Sequence, residues 1–175
     1  MTIDLDQRLI ELTLGAKHPE IEVDSSREVQ HACLRLLQQA QREIVIVSRH
    51  LDGALFNNSG ASEALKDFVL RNRATKVRML AKDPMPAVRE NHRFIELAYR
   101  LSSFIEIRTP APEYREHNSA YVVADGLGVV HRPQADRYEA TVNFANQTFA
   151  GELMREFNAM WASATPNPAL RRLHL

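Results

Sequence analysis

A chain of 175 residues with 45% hydrophobic composition suits one domain, long enough to bury roughly 70% of its unfolded-state surface without a cofactor or disulfide. Its 22 basic and 22 acidic side chains cancel to a formal net charge of zero, so no global field draws it onto DNA or an anionic membrane and any anion site must be local. The lone Cys33 excludes an internal disulfide and a Cys-rich zinc site and fits a reducing, cytoplasmic setting.

The opening MTIDLDQRLIELTLG lacks a basic start before an apolar core, and no uncharged run approaches the ~20 apolar residues of a membrane span. Neither export nor insertion is expected. Leu5, Leu9 and Leu12 repeat like a helix while Ile10, Leu12 and Leu14 alternate like a strand, so residues 1–22 form an unassigned arm. Ser25 and Glu28 have capping-box spacing before the apolar stripe Val29, Cys33, Leu36, Leu37 and Ala40, which predicts a helix over about 26–41. The run IVIV within 43–48 predicts a strand buried on both faces, ending at Ser48, Arg49 and His50. The loop FNNSGAS leads to a helix marked by Ala64, Leu65, Phe68 and Val69, and KVRMLA (76–81) is a second strand closed by Asp83-Pro84. Pro84 and Pro86 suit a helix entry, Val88, Ile95, Ala98 and Leu101 mark a third helix, and FIEIR (104–108) a third strand.

Such alternation implies βαβ units and a parallel sheet. The pattern then changes: 119–123, a turn at Asp125-Gly126, and 129–132 predict an antiparallel hairpin, with a further strand over 139–144. Phe149, Leu153, Phe157, Met160 and Trp161 mark a last helix packed on the core. The expected layout is an α/β domain over 23–165, a mixed sheet of parallel βαβαβ followed by antiparallel hairpin strands and flanked by helices, with a surface tail over 166–175.

Ligand crevices of open parallel sheets lie beyond the carboxyl ends of the strands. That rule selects Ser48, Arg49 and His50, then Asp83 and Arg108, with His92 near the start of the third helix. Three helix N-termini toward that edge would favour an anion. His92 shares a helical face with Val88 and Ile95, which points to a hydrogen-bonded, half-buried histidine, and Asp83 before a proline reads as a turn residue. His18, His31 and His174 have no supporting context. Scattered histidines without HExxH predict no metal site and no cofactor, and Gly126 and Gly128 make a tight turn rather than a dinucleotide loop.

Asp125-Gly126, Glu139 and the helix through Phe157 and Trp161 resemble one half of a phospholipase D superfamily protein over about 26–163. In that family a hairpin carries HxK, four residues, then Asp and Gly, with a later Gly-Ser pair, an Asn and a Glu. The chain also resembles a bacterial group of such domains, some of them fused behind an acetyltransferase domain. The resemblance implies the fold, and a mechanism in which paired histidines from two halves or two protomers act on phosphorus while lysines neutralise phosphoryl oxygens. With His117 as the motif histidine, Ser119 takes the lysine position and Ala124 the aspartate position; with Asp125 as anchor, those positions become Asn118 for histidine and Ala120 for lysine. His131-Arg132 stand in place of Gly-Ser.

The leading expectation is therefore a catalytically inactive phospholipase-D-like domain that binds a phosphate-containing ligand or a protein partner, using Arg49, His50, Arg108, His117, Arg132 and His92. One alternative is a homodimeric phosphodiesterase or phosphatidyltransferase using His117 or His131 with Glu139, since arginine binds phosphate bidentately. Another is a structural dimerisation domain. Neutral charge and the lack of an aromatic-basic stripe argue against nucleic acid.

Overall fold

The computed structural model describes residues 4–170; residues 1–3 of the expected arm and 171–175 of the expected tail, His174 among them, lie outside the described residues. The arm holds α1 (Leu5–Glu11), in line with the helical repeat of Leu5 and Leu9, while the strand-like alternation of Ile10, Leu12 and Leu14 falls on the end of that helix and the turn after it; the strand β1 (Ile21–Val23) lies further on. The capping box expected at Ser25 and Glu28 opens α2 (Ser26–Gln39), with Cys33 on its buried face. β2 (Glu43–Ser48) follows, then a short α3 (Gly53–Phe56) and α4 (Ser59–Arg71), which starts inside the expected loop because Asn58 accepts the Ala61 N–H as an N-cap.

After β3 (Lys76–Ala81), the third expected helix is two: α5 (Met85–Arg89) and α6 (Arg93–Arg100). The break lies at Asn91, whose φ of 51° is left-handed, and at His92, whose ring caps α6. The apolar spacing from Val88 to Ile95 keeps helical phase across this turn, which is why the sequence reads as continuous. β4 (Ile105–Arg108), β5 (Ala120–Ala124), β6 (Gly128–Arg132), β7 (Ala140–Asn143) and α7 (Gln147–Ser163) complete the chain.

The strands form one sheet in the order β1-β7-β6-β5-β2-β3-β4. β2, β3 and β4 are parallel and the remaining pairs antiparallel, the mixed arrangement expected from the sequence. Alternating side chains divide the core. Ile44, Ile46, Met79 and Val122 pack toward α1 to α6, while Val45, Val47, Leu80, Tyr121 and Val123 pack toward α7 alone. β2 sits at the centre, which accounts for its doubly apolar run.

Two close fits hold the hairpin in place. Asp125 and Gly126 have φ of 55° and 64°, the left-handed pair at the centre of a turn that the Leu127 N–H closes by donating to the Ala124 carbonyl, and with Ala124 opposite Gly128 three residues connect the two strands. A Cβ on Gly128 would come within 2.6 Å of Leu14 Cδ1 and of Leu36 Cδ2, so the arm and α2 press directly on the start of β6. Among the described residues no helix is long and apolar enough to cross a membrane.

Candidate functional site

Sheet register decides which side chains meet at the carboxyl edge. Ser48 pairs with Ala81, so the next residues, Arg49 and Lys82, emerge side by side. Val47 faces Tyr121 across the antiparallel β2–β5 pair, so Ser119 comes level with Arg49 on the α7 side. These residues, with His117, Asn118, Tyr114 and Met160, line a crevice of about 10 Å³, room for roughly one water. No side-chain hydrogen bond or ion pair engages the Arg49 guanidinium among the described residues. Lys82 Nζ donates to the Arg115 carbonyl at 2.6 Å. Burial lowers its pKa and the Arg49 charge lowers it further, against an opposing pull from Glu116.

Past Ser48, Arg49 and Ala135 the crevice opens into a groove of about 320 Å³, lined also by His50, Asp52, Glu90, Asp136 and Tyr138. His50 Nδ1 lies 3.0 Å from the Asp83 carbonyl. Asp83 itself caps the next turn by accepting from the Met85 N–H. Arg132 reaches the same groove, but its donors are already engaged. Nε donates to the Arg137 carbonyl at 2.7 Å, one terminal nitrogen to the Ala135 carbonyl at 2.7 Å, and the other to Asp52 Oδ2 at 3.2 Å. Its guanidinium also lies over the Tyr138 ring, 4.9 Å from the centroid.

Of the residues selected from sequence, Arg49 and His117 share the crevice, and Arg49, His50 and Arg132 share the groove. Arg108 does not join them: it pairs with Glu106 and stacks over Trp161 at 4.3 Å. His92 is 1% exposed; its Nδ1 accepts the Phe94 N–H at 3.0 Å, so its Nε2–H donates to the Leu51 carbonyl at 2.7 Å. Glu139 lines a separate groove at the β1 edge with Glu22, Asp24 and Glu28. Lys82 was missed from sequence, although it follows β3 as Arg49 follows β2; the Asp83-Pro84 pair drew attention one residue too far.

His117 and Ser119 point toward α7. His117 Nε2 meets Glu156 Oε1, and the same nitrogen lies 3.2 Å from Ser119 Oγ. Both partners compete for one nitrogen, so the trio is not a relay in which acid and hydroxyl use opposite sides of the ring. His131 faces Tyr121 and Phe149, with ring centroids 6.2 and 5.2 Å away. Burial depresses its pKa below the ordinary 6.5; Glu156 opposes this and His117 adds to it. Among the described residues no cluster of three or more His, Cys, Asp or Glu could hold a metal ion.

His92 is also held below the ordinary 6.5, chiefly by burial, while the Leu51 carbonyl, Glu90 and Asp52 pull the other way. Both histidines are neutral in the folded chain where the unfolded chain takes up protons. Stability is therefore complete above 6.5 and is lost as pH falls below it. Thermal melts at pH values on either side of 6.5 should show this decline, and His92→Asn, which keeps an N-cap oxygen, should flatten part of it.

TrmBL2, an archaeal chromatin protein described as showing a novel mode of DNA binding, superposes with a TM-score of 0.63 at 18% identity, covering 94% of this chain. The chain spans 59% of that protein's length. Nuc from Salmonella typhimurium, a phospholipase D family member, gives 0.58 at 14% identity, and NucT from Helicobacter pylori 0.61 at 11%. Each alignment covers 85% of this chain and 98% of the other. These likenesses show the phospholipase-D-like fold. No curated protein sequence matches the chain, and nothing among the matches supports a fused acetyltransferase domain. Residues 25–173 match the family described as a domain of unknown function, DUF7931, and the chain belongs to that family, built on a phospholipase-D-like scaffold.

Proposed function

We propose that this domain is a catalytically silent phospholipase-D-like module that binds an anionic group, a phosphate above all, and serves a regulatory or adaptor role. The observation that carries it is the pairing of Arg49 with Lys82 at the carboxyl edge beside the Ser119 hydroxyl, with no carboxylate neutralising Arg49 among the described residues. Two cations held on adjacent strand ends repel one another, and an anion between them relieves that repulsion.

Silence rests on His117. The nitrogen that would attack phosphorus is engaged by Glu156 and Ser119, and the second position beyond it holds a hydroxyl in place of an ammonium. Loss of a charge-stabilising contact on a phosphoryl group costs about 3–4 kcal/mol at the transition state. TrmBL2 is described as binding DNA, but zero net charge gives this chain little reach toward a polyanion.

Thermal melts with inorganic phosphate test the binding. At a hundredfold excess over Kd the added stability is about 2.7 kcal/mol, which corresponds to roughly 5–10 °C in Tm. Arg49→Ala with Lys82→Ala should abolish the shift. A shift of equal size in that double variant would remove the crevice from consideration. Hydrolysis of a chromogenic phosphodiester should stay at background; turnover lost in His117→Ala, in a chain that sediments as a dimer, would install the homodimeric phosphodiesterase reading instead. A dimer without turnover or phosphate binding would favour a purely structural dimerisation domain.

A further inference from the structure

We infer that the cleft takes a terminal phosphate monoester carried on a small polyhydroxyl body, such as a sugar phosphate, in preference to a phosphodiester. The inference rests on the anion-binding reading above and names the ligand class of that same site.

Charge is the first argument. A monoester carries about −1.5 to −2 at neutral pH, with three acceptor oxygens, whereas a diester carries a single charge shared by two free oxygens. Arg49 and Lys82 supply two cations from neighbouring strand ends, and the Ser119 hydroxyl supplies a further donor. Shape is the second argument. The crevice has only about 10 Å³ free and is bounded by Pro110, Tyr114 and Met160. With so little free volume only phosphoryl oxygens can turn inward, and a monoester has three to offer where a diester has two.

The third argument is the adjoining groove. It meets the crevice at Ser48, Arg49 and Ala135 and encloses about 320 Å³, near the lower end of the roughly 300–1,000 Å³ range of small-molecule pockets. Glu90 and Asp136 line it, and neither carboxylate is engaged by a hydrogen bond or ion pair among the described residues. Ionised carboxylates are acceptors only, so they call for donors on the ligand. An ammonium tail would meet Arg49 in the same groove, while neutral hydroxyls satisfy Glu90 and Asp136 without opposing the cations. Tyr138 offers little stacking surface, because Arg132 already covers its ring.

Titration calorimetry with inorganic phosphate, ribose 5-phosphate, dimethyl phosphate and ribose tests the inference. Hydrogen bonds to a charged partner support ribose 5-phosphate binding about 10-fold tighter than inorganic phosphate. Dimethyl phosphate and ribose should bind more weakly than either. Glu90→Gln with Asp136→Asn removes two negative charges beside Arg49 and should tighten inorganic phosphate binding, while narrowing the preference for ribose 5-phosphate over inorganic phosphate measured on that same variant. Equal affinities for ribose 5-phosphate and inorganic phosphate in the unaltered chain would overturn the polyhydroxyl body. Dimethyl phosphate binding as tightly as inorganic phosphate would overturn the monoester. Either result leaves the anion site standing, whereas no heat with inorganic phosphate or ribose 5-phosphate would remove both readings together.

Discussion

Asp52→Ala is expected to destabilise the domain by about 3–5 kcal/mol, the cost of leaving a buried guanidinium without its counter-ion. Arg132 is the group left behind: its side chain is 5% exposed and Asp52 is the carboxylate paired with it. Asp52 also accepts the Ala54 N–H as the N-cap of α3 and lies 3.4 Å from the Tyr138 hydroxyl, so one truncation loosens a cap and the 133–138 loop as well as the ion pair. For a chain of this size the loss corresponds to roughly 10 °C in Tm. Urea denaturation of a short series separates the contributions. Asp52→Asn keeps the cap acceptor and should cost about 1 kcal/mol less than Asp52→Ala, the usual worth of an N-cap. Pairing Asp52→Ala with Arg132→Met removes the orphaned charge and should recover part of the loss. A single-variant loss below about 1 kcal/mol would mean that water reaches the guanidinium and that Arg132 is free to serve a ligand.

This arrangement also explains which parts of the site the sequence could express. The strand ends were legible, because β-branched runs bounded by turn residues fix where β2 and β3 stop, and position at a carboxyl edge follows from topology alone. Whether an arginine there is available was not legible. Arg132 is occupied by Asp52, which lies eighty positions away in the chain, and Arg108 by Glu106 and the ring of Trp161 on α7. Asp52 and Trp161 cannot be assigned without the packing of α3 and α7 on the sheet, whereas Glu106, two residues before Arg108 on the same face of β4, follows from strand alternation. Arg49 has the same local character as the other two and differs only in what the fold leaves near it. His92 shows the opposite case: a half-buried, hydrogen-bonded ring was expected and the structure buries it almost completely, but the break it caps carries no proline or glycine to announce it, and the left-handed Asn91 is visible only in the backbone. His117 needed α7 as well, since Glu156 decides what its imidazole can do.

Asp125→Ala is the second large effect, at about 3–4 kcal/mol, and it separates scaffold from site. Its carboxylate accepts the backbone N–H groups of Gln41, Arg42 and Glu43 at 2.8, 2.8 and 2.9 Å, fastening the hairpin turn to the start of β2. Hydrogen bonds to a charged acceptor contribute about 1.5–3 kcal/mol each, but two of these donors are solvent-accessible and water can replace the carboxylate, so the sum falls short of full additivity. The φ of 55° adds a second cost, because alanine tolerates the left-handed region less well than aspartate and costs roughly 1 kcal/mol more than glycine there. Asp125→Gly should therefore be milder than Asp125→Ala by about that amount, and Asp125→Asn milder still, since it retains one acceptor oxygen. Urea midpoints give the order. Asp125 sits at the amino end of β2, and Arg49 follows its carboxyl end, so Asp125→Asn should bind inorganic phosphate as the unaltered chain does. Phosphate binding lost from a folded Asp125→Asn variant would place this aspartate in the ligand site and would contradict the separation of hairpin anchor from anion crevice on which the functional reading depends.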